Sequence, residues 1–122
     1  MKIIIVSAAV LCNRSNEILL TQRPANKSMA GLWEFPGGKI EIGETPERAL
    51  VRELKEELEI TVKARDLTPL SFASHNYESF HLLMPVFLCR RWSGVLAPQE
   101  SQAMAWVTLS SLKDYSMPPA DL

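Results

Sequence analysis

The sequence predicts an α/β (α+β) fold in which a mixed β-sheet packs against one main helix. Strand patterns outnumber helical patterns along the 122 residues, and the strongest helical pattern, at residues 45–58, lies between strands. The length suits a single domain, residues 1–122, whose core needs no disulfide or structural metal. The chain stops soon after a possible last helix, so a short or truncated C-terminal helix is expected.

The N-terminal apolar run, residues 3–11, suits either an export signal or a buried strand. It is short, one lysine precedes it, and many of its residues are β-branched, which favours a strand. We therefore predict a first core strand at residues 2–11. A turn at residues 13–16 and a hairpin partner at residues 17–21 should follow it.

The elements between this pair and the main helix are short. Proline, asparagine and glycine residues predict a loop at residues 23–31. Two short extended pieces are expected after the loop, at residues 33–35 and 39–42. They lead directly into the helix.

The main helix has clear signals at its start and along one face. Thr45 is a good N-cap, and Pro46 suits the first helical position. Leucines recur every four residues at positions 50, 54 and 58, which predicts one buried stripe. Beyond the helix, strands are expected at residues 61–63, 68–74, 81–91 and 103–107, and a helical turn capped by Ser110 at residues 110–115.

Composition and charge limit the classes of partner. The chain is 47% hydrophobic and 22% charged, with a net charge of −1, so nothing general attracts a nucleic-acid polymer or a membrane surface. Cys12 and Cys89 lie in apolar runs without metal or redox spacing, which predicts buried free thiols and a cytoplasmic location. We expect a monomer.

One window of the chain is both acidic and rich in glycine. Residues 31–59 hold eight of the fourteen acidic residues and four of the five glycines. One helical turn carries Glu53, Glu56 and Glu57. At a separation of about 5 Å and an effective dielectric near 20, the repulsion between each pair of carboxylates costs roughly 3 kcal/mol. Such a cluster is typical of a site for Mg²⁺, or for Mn²⁺ in its place. The plain alternative is a solvated helix face with salt bridges.

The glycine turn before the helix favours the metal site over a solvated face. Gly37 and Gly38 precede the helix and have no side chain to obstruct a metal ion or a phosphate. Arg52 lies four residues before Glu56, close enough to orient that carboxylate. The acidic turn and the glycine turn together therefore predict a site.

The same window resembles the Nudix box. The matching pattern, at residues 38–60, is Gly38, five residues, Glu44, seven residues and then Arg-Glu-Leu-Lys-Glu-Glu at 52–57. One position departs, since the family usually has glycine where this chain has Glu59, which predicts a helix that ends differently at a modest cost in stability. The likeness to the MutT branch of the family extends to Gln-Arg at 22–23, Leu-Trp-Glu-Phe-Pro-Gly-Gly-Lys-Ile-Glu at 32–41 and Pro-Pro-Ala-Asp at 118–121.

This resemblance implies a fold and a reaction. The fold would be a Nudix-type sandwich of mixed β-sheets with one catalytic helix. The reaction would be Mg²⁺-dependent hydrolysis of a nucleoside triphosphate, with 8-oxo-dGTP as the expected substrate and a small nucleotide as the only partner. Two alternatives stay open: hydrolysis of CTP or its deoxy or methylated forms, and a nucleotide-sensing module that has lost catalysis.

The resemblance also implies roles for individual residues. The implied metal ligands are the carbonyl of Gly37 and the carboxylates of Glu53, Glu56, Glu57 and Glu100. Glu53 and Glu100 are rivals for the general base, and Arg52 belongs to the catalytic group. The residues implied to bind substrate are Arg23, Trp33, Glu34, Phe35, Pro36, Gly37, Gly38, Lys39 and Asp121.

Two parts of the chain depart from the family pattern or lack it. Asp121 stands where the MutT branch has an asparagine that reads the purine edge, and an ionised aspartate only accepts hydrogen bonds, so the preferred base stays open. Residues 61–98 carry no family signature. His75 and His81, within that segment, are interpreted as packing or rim residues without a metal role.

Overall fold

The computed structural model describes residues 2–26, 29–99 and 103–118. In those ranges the chain forms seven strands, one α-helix and two short 3₁₀ helices. The strands are β1 (Ile3–Leu11), β2 (Ile18–Gln22), β3 (Trp33–Glu34), β4 (Gly37–Lys39), β5 (Leu67–Asn76), β6 (His81–Cys89) and β7 (Met104–Val107). The α-helix is α1 (Pro46–Leu58), and the 3₁₀ helices are Ala64–Asp66 and Leu109–Asp114.

The strands form two sheets. A four-stranded mixed sheet has the order β4-β1-β6-β5, with β1 parallel to β6, and a three-stranded antiparallel sheet has the order β3-β2-β7. One buried cluster joins side chains of α1 to side chains of β1, β2 and β6. Its members are Ala9, Leu11, Leu19, Leu50, Leu54, Leu58, Ile60, Val62, Leu67, Phe87 and Cys89. The predicted α+β architecture with one main helix is confirmed.

The first two strands are joined by the predicted turn but do not form the predicted hairpin. Asn13 shapes the turn, since its Oδ1 accepts hydrogen bonds from the backbone N–H groups of Ser15 at 3.0 Å and Glu17 at 2.9 Å. Only one bridge, between Cys12 and Ile18, connects the two strands. Beyond it the chain crosses from one sheet to the other, so the hairpin prediction is wrong.

Helix α1 begins as predicted. The Thr45 side chain accepts a hydrogen bond from the backbone N–H of Arg48 at 3.2 Å, and Pro46 is the first helical residue. The three leucines of the stripe, with Ala49, are fully buried. The N-terminus and the buried face of this helix therefore follow from local sequence.

The end of α1 differs from the prediction. Glu59 takes the left-handed conformation that glycine favours, with φ 60° and ψ 24°, and its N–H donates to the Lys55 carbonyl. The helix therefore ends in the geometry typical of glycine, and the expectation of a different ending is wrong. Because Glu59 has a Cβ atom, its left-handed backbone conformation costs free energy that glycine would not lose.

Smaller corrections concern three other segments. Residues 61–63 make only one bridge, Thr61 to Ser93, instead of the predicted strand. The extended piece expected at 39–42 is instead β4, two residues earlier, because the chain turns away after Ile40 donates to the carbonyl of Ile5. The last helical turn is a 3₁₀ helix preceded by Thr108, so Ser110 is not its cap.

The two cysteines are buried free thiols, as predicted. Burial raises the pKa of the Cys89 thiol. Within the described residues, no helix is long and apolar enough to cross a membrane.

Candidate functional site

Two adjoining cavities lie beside the glycine turn and α1. The first, which we call the acidic cavity, has a volume of about 240 Å³. Its lining residues are Thr21, Gln22, Arg23, Pro24, Glu34, Gly37, Glu53, Glu56, Glu57 and Gln99. The three carboxylates predicted from helical spacing therefore face the same space as Gly37 and Arg23.

The glycine turn brings backbone close to the acidic residues. β4 pairs with β1, placing Gly37 opposite Ala8 and Gly38 opposite Ser7. A Cβ atom on Gly37 would collide with the carbonyl oxygen of Ser7, and one on Gly38 would collide with the carboxylate of Glu53. Gly37 thus requires glycine because of the neighbouring backbone, whereas a side chain at position 38 would displace the Glu53 carboxylate and disturb the site.

Arg52 is the centre of the acidic hydrogen-bond network. Its Nε and Nη2 donate to the two carboxylate oxygens of Glu44 at 2.7 and 2.9 Å, and Nη2 also donates to the Lys39 carbonyl at 3.0 Å. Its Nη1 donates to Glu53 at 2.9 Å and to Glu56 at 3.3 Å. Arg52 therefore orients two of the three helix carboxylates, one more than the sequence predicted.

The charges of this network shift two carboxyl groups in opposite directions. The hydrogen bonds from Arg52 lower the pKa of Glu44 to about 2, and the guanidinium pKa of Arg52 is itself raised, mainly by Glu44. Burial raises the pKa of Glu53, against the opposing hydrogen bond from Arg52. Glu44 thus stays ionised well below neutral pH and compensates the charge of Arg52, whereas burial favours the protonated form of Glu53.

The donor set fits a hard divalent cation in its chemistry. Carboxylate oxygens line the acidic cavity together with a backbone segment that carries no side chains. In residues 2–26, 29–99 and 103–118, no three acidic, histidine or cysteine side chains lie close enough together to hold a metal ion by themselves. Arg52 forms ion pairs with Glu53 at 2.9 Å and with Glu56 at 3.3 Å, so two of the cavity carboxylates share one guanidinium group.

The second cavity, which we call the apolar cavity, adjoins the first and has a volume of about 520 Å³. Arg23, Glu34 and Gly37 line both cavities. The Arg23 Nη1 and the Glu34 carboxylate form an ion pair at 3.1 Å, so a charged boundary separates the two spaces. The other residues lining the apolar cavity are Ile4, Val6, Ala8, Met29, Phe35, Gly38, Lys39, Tyr77, Phe80, Leu82, Met84 and Pro118.

Sequence reasoning missed most of the apolar cavity. Its walls come from alternate residues of β1 and β6, which pair in parallel, and from Tyr77 and Phe80 between β5 and β6. The alternation of apolar residues along each strand could have identified these residues as one face. Nothing in the sequence, however, indicates that β1 and β6, which lie far apart in the chain, pair with each other.

The remaining predicted site residues are not part of the described cavity walls. Trp33 is outside the lining of both cavities and contacts Tyr115 edge to face, with ring centroids 5.3 Å apart. Pro36 is fully buried, and its carbonyl accepts from the Ala9 N–H. Glu100 and Asp121 lie outside the described residues. Gln99, next to Glu100, lines the acidic cavity and donates its N–H to the Glu57 carbonyl at 3.0 Å.

Comparisons with known proteins agree with this geometry. Residues 7–122 match the family model described as NUDIX domain. The chain is similar to the 8-oxo-dGTP diphosphatase of Escherichia coli (strain K12), 39% identical over 99% of this chain and 92% of that protein. It is also similar to the CTP pyrophosphohydrolase of the same strain, 40% identical over 100% of this chain and 88% of that protein.

Solved structures give the same picture. The solution structure of the E. coli ORF135 protein is similar with a TM-score of 0.85 and 37% identity, covering 99% of this chain and 84% of that one. A MutT structure from work on Aliivibrio salmonicida and Vibrio cholerae is similar with a TM-score of 0.81 and 37% identity, and the match covers 98% of this chain and 90% of that one.

Proposed function

Because the chain belongs to the NUDIX domain family, we propose that it is a nucleoside triphosphate pyrophosphohydrolase. The first-choice substrate is 8-oxo-dGTP, converted to 8-oxo-dGMP and pyrophosphate, so that the enzyme removes oxidised guanine from the nucleotide pool. One observation supports this most directly. A cavity lined by three carboxylates adjoins an apolar cavity of about 520 Å³, and the two share a charged boundary.

Nudix hydrolases generally use divalent metal ions. We propose Mg²⁺, with Mn²⁺ as a possible substitute, held by the Gly37 carbonyl and by Glu53, Glu56, Glu57 and Glu100. When bound, such an ion neutralises phosphate charge and makes a bound water more acidic. The oxygen-only donor set supports this choice over softer metals.

The side chains around the ion have distinct roles in the proposal. Arg52 holds Glu53 and Glu56 in place, and Glu44 compensates the charge of Arg52, so the carboxylates keep their orientation when the phosphates arrive. Glu53, which lines the acidic cavity and accepts a hydrogen bond from Arg52, is one candidate for the group that takes the proton from the attacking water. Glu100 remains its rival.

The nucleoside would occupy the apolar cavity. Apolar side chains of β1 and β6 and the ring of Phe35 provide surfaces for a base, and Arg23 at the boundary faces the phosphate side. The volume of the apolar cavity, about 520 Å³, suits one small ligand, and the net charge of −1 does not favour a nucleic-acid polymer. We propose a monomeric enzyme and, from the buried free thiols, a cytoplasmic location.

A second candidate substrate has support of its own. The relative named CTP pyrophosphohydrolase is as similar to this chain as the relative named 8-oxo-dGTP diphosphatase, at 40% and 39% identity. Asp121, in place of the expected asparagine, also leaves the base preference open. CTP, or its deoxy or methylated forms, is therefore the alternative.

One experiment separates these candidates. The values of kcat/KM with Mg²⁺ should be measured side by side for 8-oxo-dGTP, dGTP and CTP, with pyrophosphate and phosphate release followed separately. A preference for 8-oxo-dGTP over dGTP of about a hundredfold or more would support the first choice. A preference for CTP would replace it with the alternative, and no turnover of any of the three would favour a sensing module.

A further inference from the structure

The connection between β5 and β6 forms part of the wall of the apolar cavity. Residues 77–80 make a tight turn, in which the backbone N–H of Tyr77 donates to the Phe80 carbonyl at 2.9 Å. The two rings stack with centroids 5.1 Å apart and planes at 24°, and both line the cavity. We call residues 77–80 the hairpin tip.

His81, directly after the tip, joins the two strands through its side chain. Its Nδ1 lies 2.8 Å from Oδ1 of Asn76, its direct partner on β5, and its Nε2 lies 2.6 Å from the hydroxyl of Ser74. A neutral ring with the proton on Nδ1 satisfies both contacts, because Nδ1 donates to the amide carbonyl and Nε2 accepts from the hydroxyl. The backbone N–H of His81 also donates to the Lys2 carbonyl at 2.8 Å.

This network lies on the face of the sheet opposite the cavity. Successive side chains of a strand point to opposite faces, and Leu82 and Met84 line the cavity, so His81 points away from it. Asn76 and Ser74 share the face of His81 through the strand register. The network thus cannot touch a nucleoside directly, and any effect on binding must pass through the hairpin tip.

We propose that His81 is a positioning residue for the nucleoside. By holding Asn76 and Ser74, its ring fixes the ends of the hairpin tip and keeps the stacked rings of Tyr77 and Phe80 in place as a rigid wall. This inference rests on the proposed function of the apolar cavity. A preformed wall lowers the entropy lost on binding, so the network should affect KM and leave the chemical step in the acidic cavity unchanged.

Substitutions in the network test this inference. The variants are His81→Leu, Asn76→Ala and Ser74→Ala, and the matched control is Ser71→Ala, which removes an exposed hydroxyl from the same strand without touching the network. We expect KM for the best nucleotide of the panel to rise about fivefold in His81→Leu and about twofold in each alanine variant, with kcat within about twofold of wild type. Ser71→Ala should match wild type.

A binding measurement provides an independent readout. Calorimetry of the corresponding nucleoside monophosphate, without metal, should show the same loss of affinity in His81→Leu as the kinetics. If His81→Leu does not fold, the two alanine variants at exposed positions decide the question. Unchanged KM and affinity, or a lower kcat at unchanged KM, would overturn this inference alone. A wild-type protein that neither binds nor hydrolyses nucleotide would overturn the proposed function as well.

Discussion

The guanidinium group of Arg52 and the carboxylate of Glu44 form two parallel hydrogen bonds, Nε to Oε2 at 2.7 Å and Nη2 to Oε1 at 2.9 Å. The two residues are eight positions apart and belong to the helix and to the loop before it. Only Nη1 of Arg52 is left to face Glu53 and Glu56. Glu44 therefore fixes the guanidinium group in the orientation in which Nη1 faces those two carboxylates.

Replacing Glu44 should weaken catalysis although Glu44 lines no part of the acidic cavity. In Glu44→Gln, Arg52 loses its charge partner and with it the fixed orientation in which it holds Glu53 and Glu56, so we expect kcat/KM at limiting Mg²⁺ to fall about tenfold. Titrating Mg²⁺ into both proteins measures this. The control Glu41→Gln, whose carboxylate is 68% exposed and 3.9 Å from Arg52, should change little. Equal Mg²⁺ dependence in Glu44→Gln and wild type would contradict the expectation.

The same pair predicts a pH dependence of stability. The pKa of Glu44 is about 2 in the folded protein and about 4.3 in an unfolded chain. A lowered folded-state pKa contributes stability above the unfolded value, and this contribution is lost as the pH falls through the folded value. The Tm difference between wild type and Glu44→Gln should be constant from about pH 6 to pH 8. By about pH 3 it should have fallen to less than half of that constant value. An equal difference at both ends would rule out this linkage.

The two glycines of β4 should respond differently to substitution by alanine. In Gly38→Ala the added Cβ meets the carboxylate of Glu53, a movable group, so the fold should persist while kcat falls about a hundredfold. In Gly37→Ala the Cβ meets the backbone of Ser7 in β1, so we expect a Tm loss of roughly 10 °C. Thermal unfolding and kcat, measured on both variants, test the contrast. A stable Gly37→Ala beside an unfolded Gly38→Ala would reverse the assignment.

Replacing Glu59, at the end of α1, by glycine should stabilise the protein. Glu59 has φ 60°, and glycine adopts this conformation without the Cβ penalty, so Glu59→Gly should raise the free energy of unfolding by about 0.5–1 kcal/mol. Urea unfolding measures this. Asn16 has a similar φ of 59°, and asparagine tolerates it, so Asn16→Gly should gain less. A loss of stability in Glu59→Gly would show that its side chain contributes more than its backbone costs.

Local features of the fold were predictable, and pairings between distant segments were not. The start and buried face of α1 depend on neighbours within a few residues, such as Thr45 and Pro46, and were predicted correctly. The turn at Asn13 was equally local. The strands on either side of this turn enter different sheets because β1 pairs with β6, whose residues lie 78 positions further along the chain, and no local pattern encodes that choice.

In the candidate site, too, local features were predictable and those that depend on the folding of distant segments were not. Helical spacing alone brings Glu53, Glu56 and Glu57 to one face, and they line one cavity. The double hydrogen bond between Arg52 and Glu44 requires the loop before α1 to fold back, which spacing does not reveal. The apolar cavity depends on the parallel pairing of β1 with β6.

The identity of the product tests the central claim most directly. Wild-type protein with Mg²⁺ and a nucleoside triphosphate should release pyrophosphate and the monophosphate in equal amounts, and a chelator should stop the reaction. Glu57→Gln, which removes a proposed ligand, should stay folded and lose turnover by at least about a hundredfold. The control Glu47→Gln, on the same helix but outside the cavity lining, should keep it. Release of orthophosphate, or full activity of Glu57→Gln, would contradict the account.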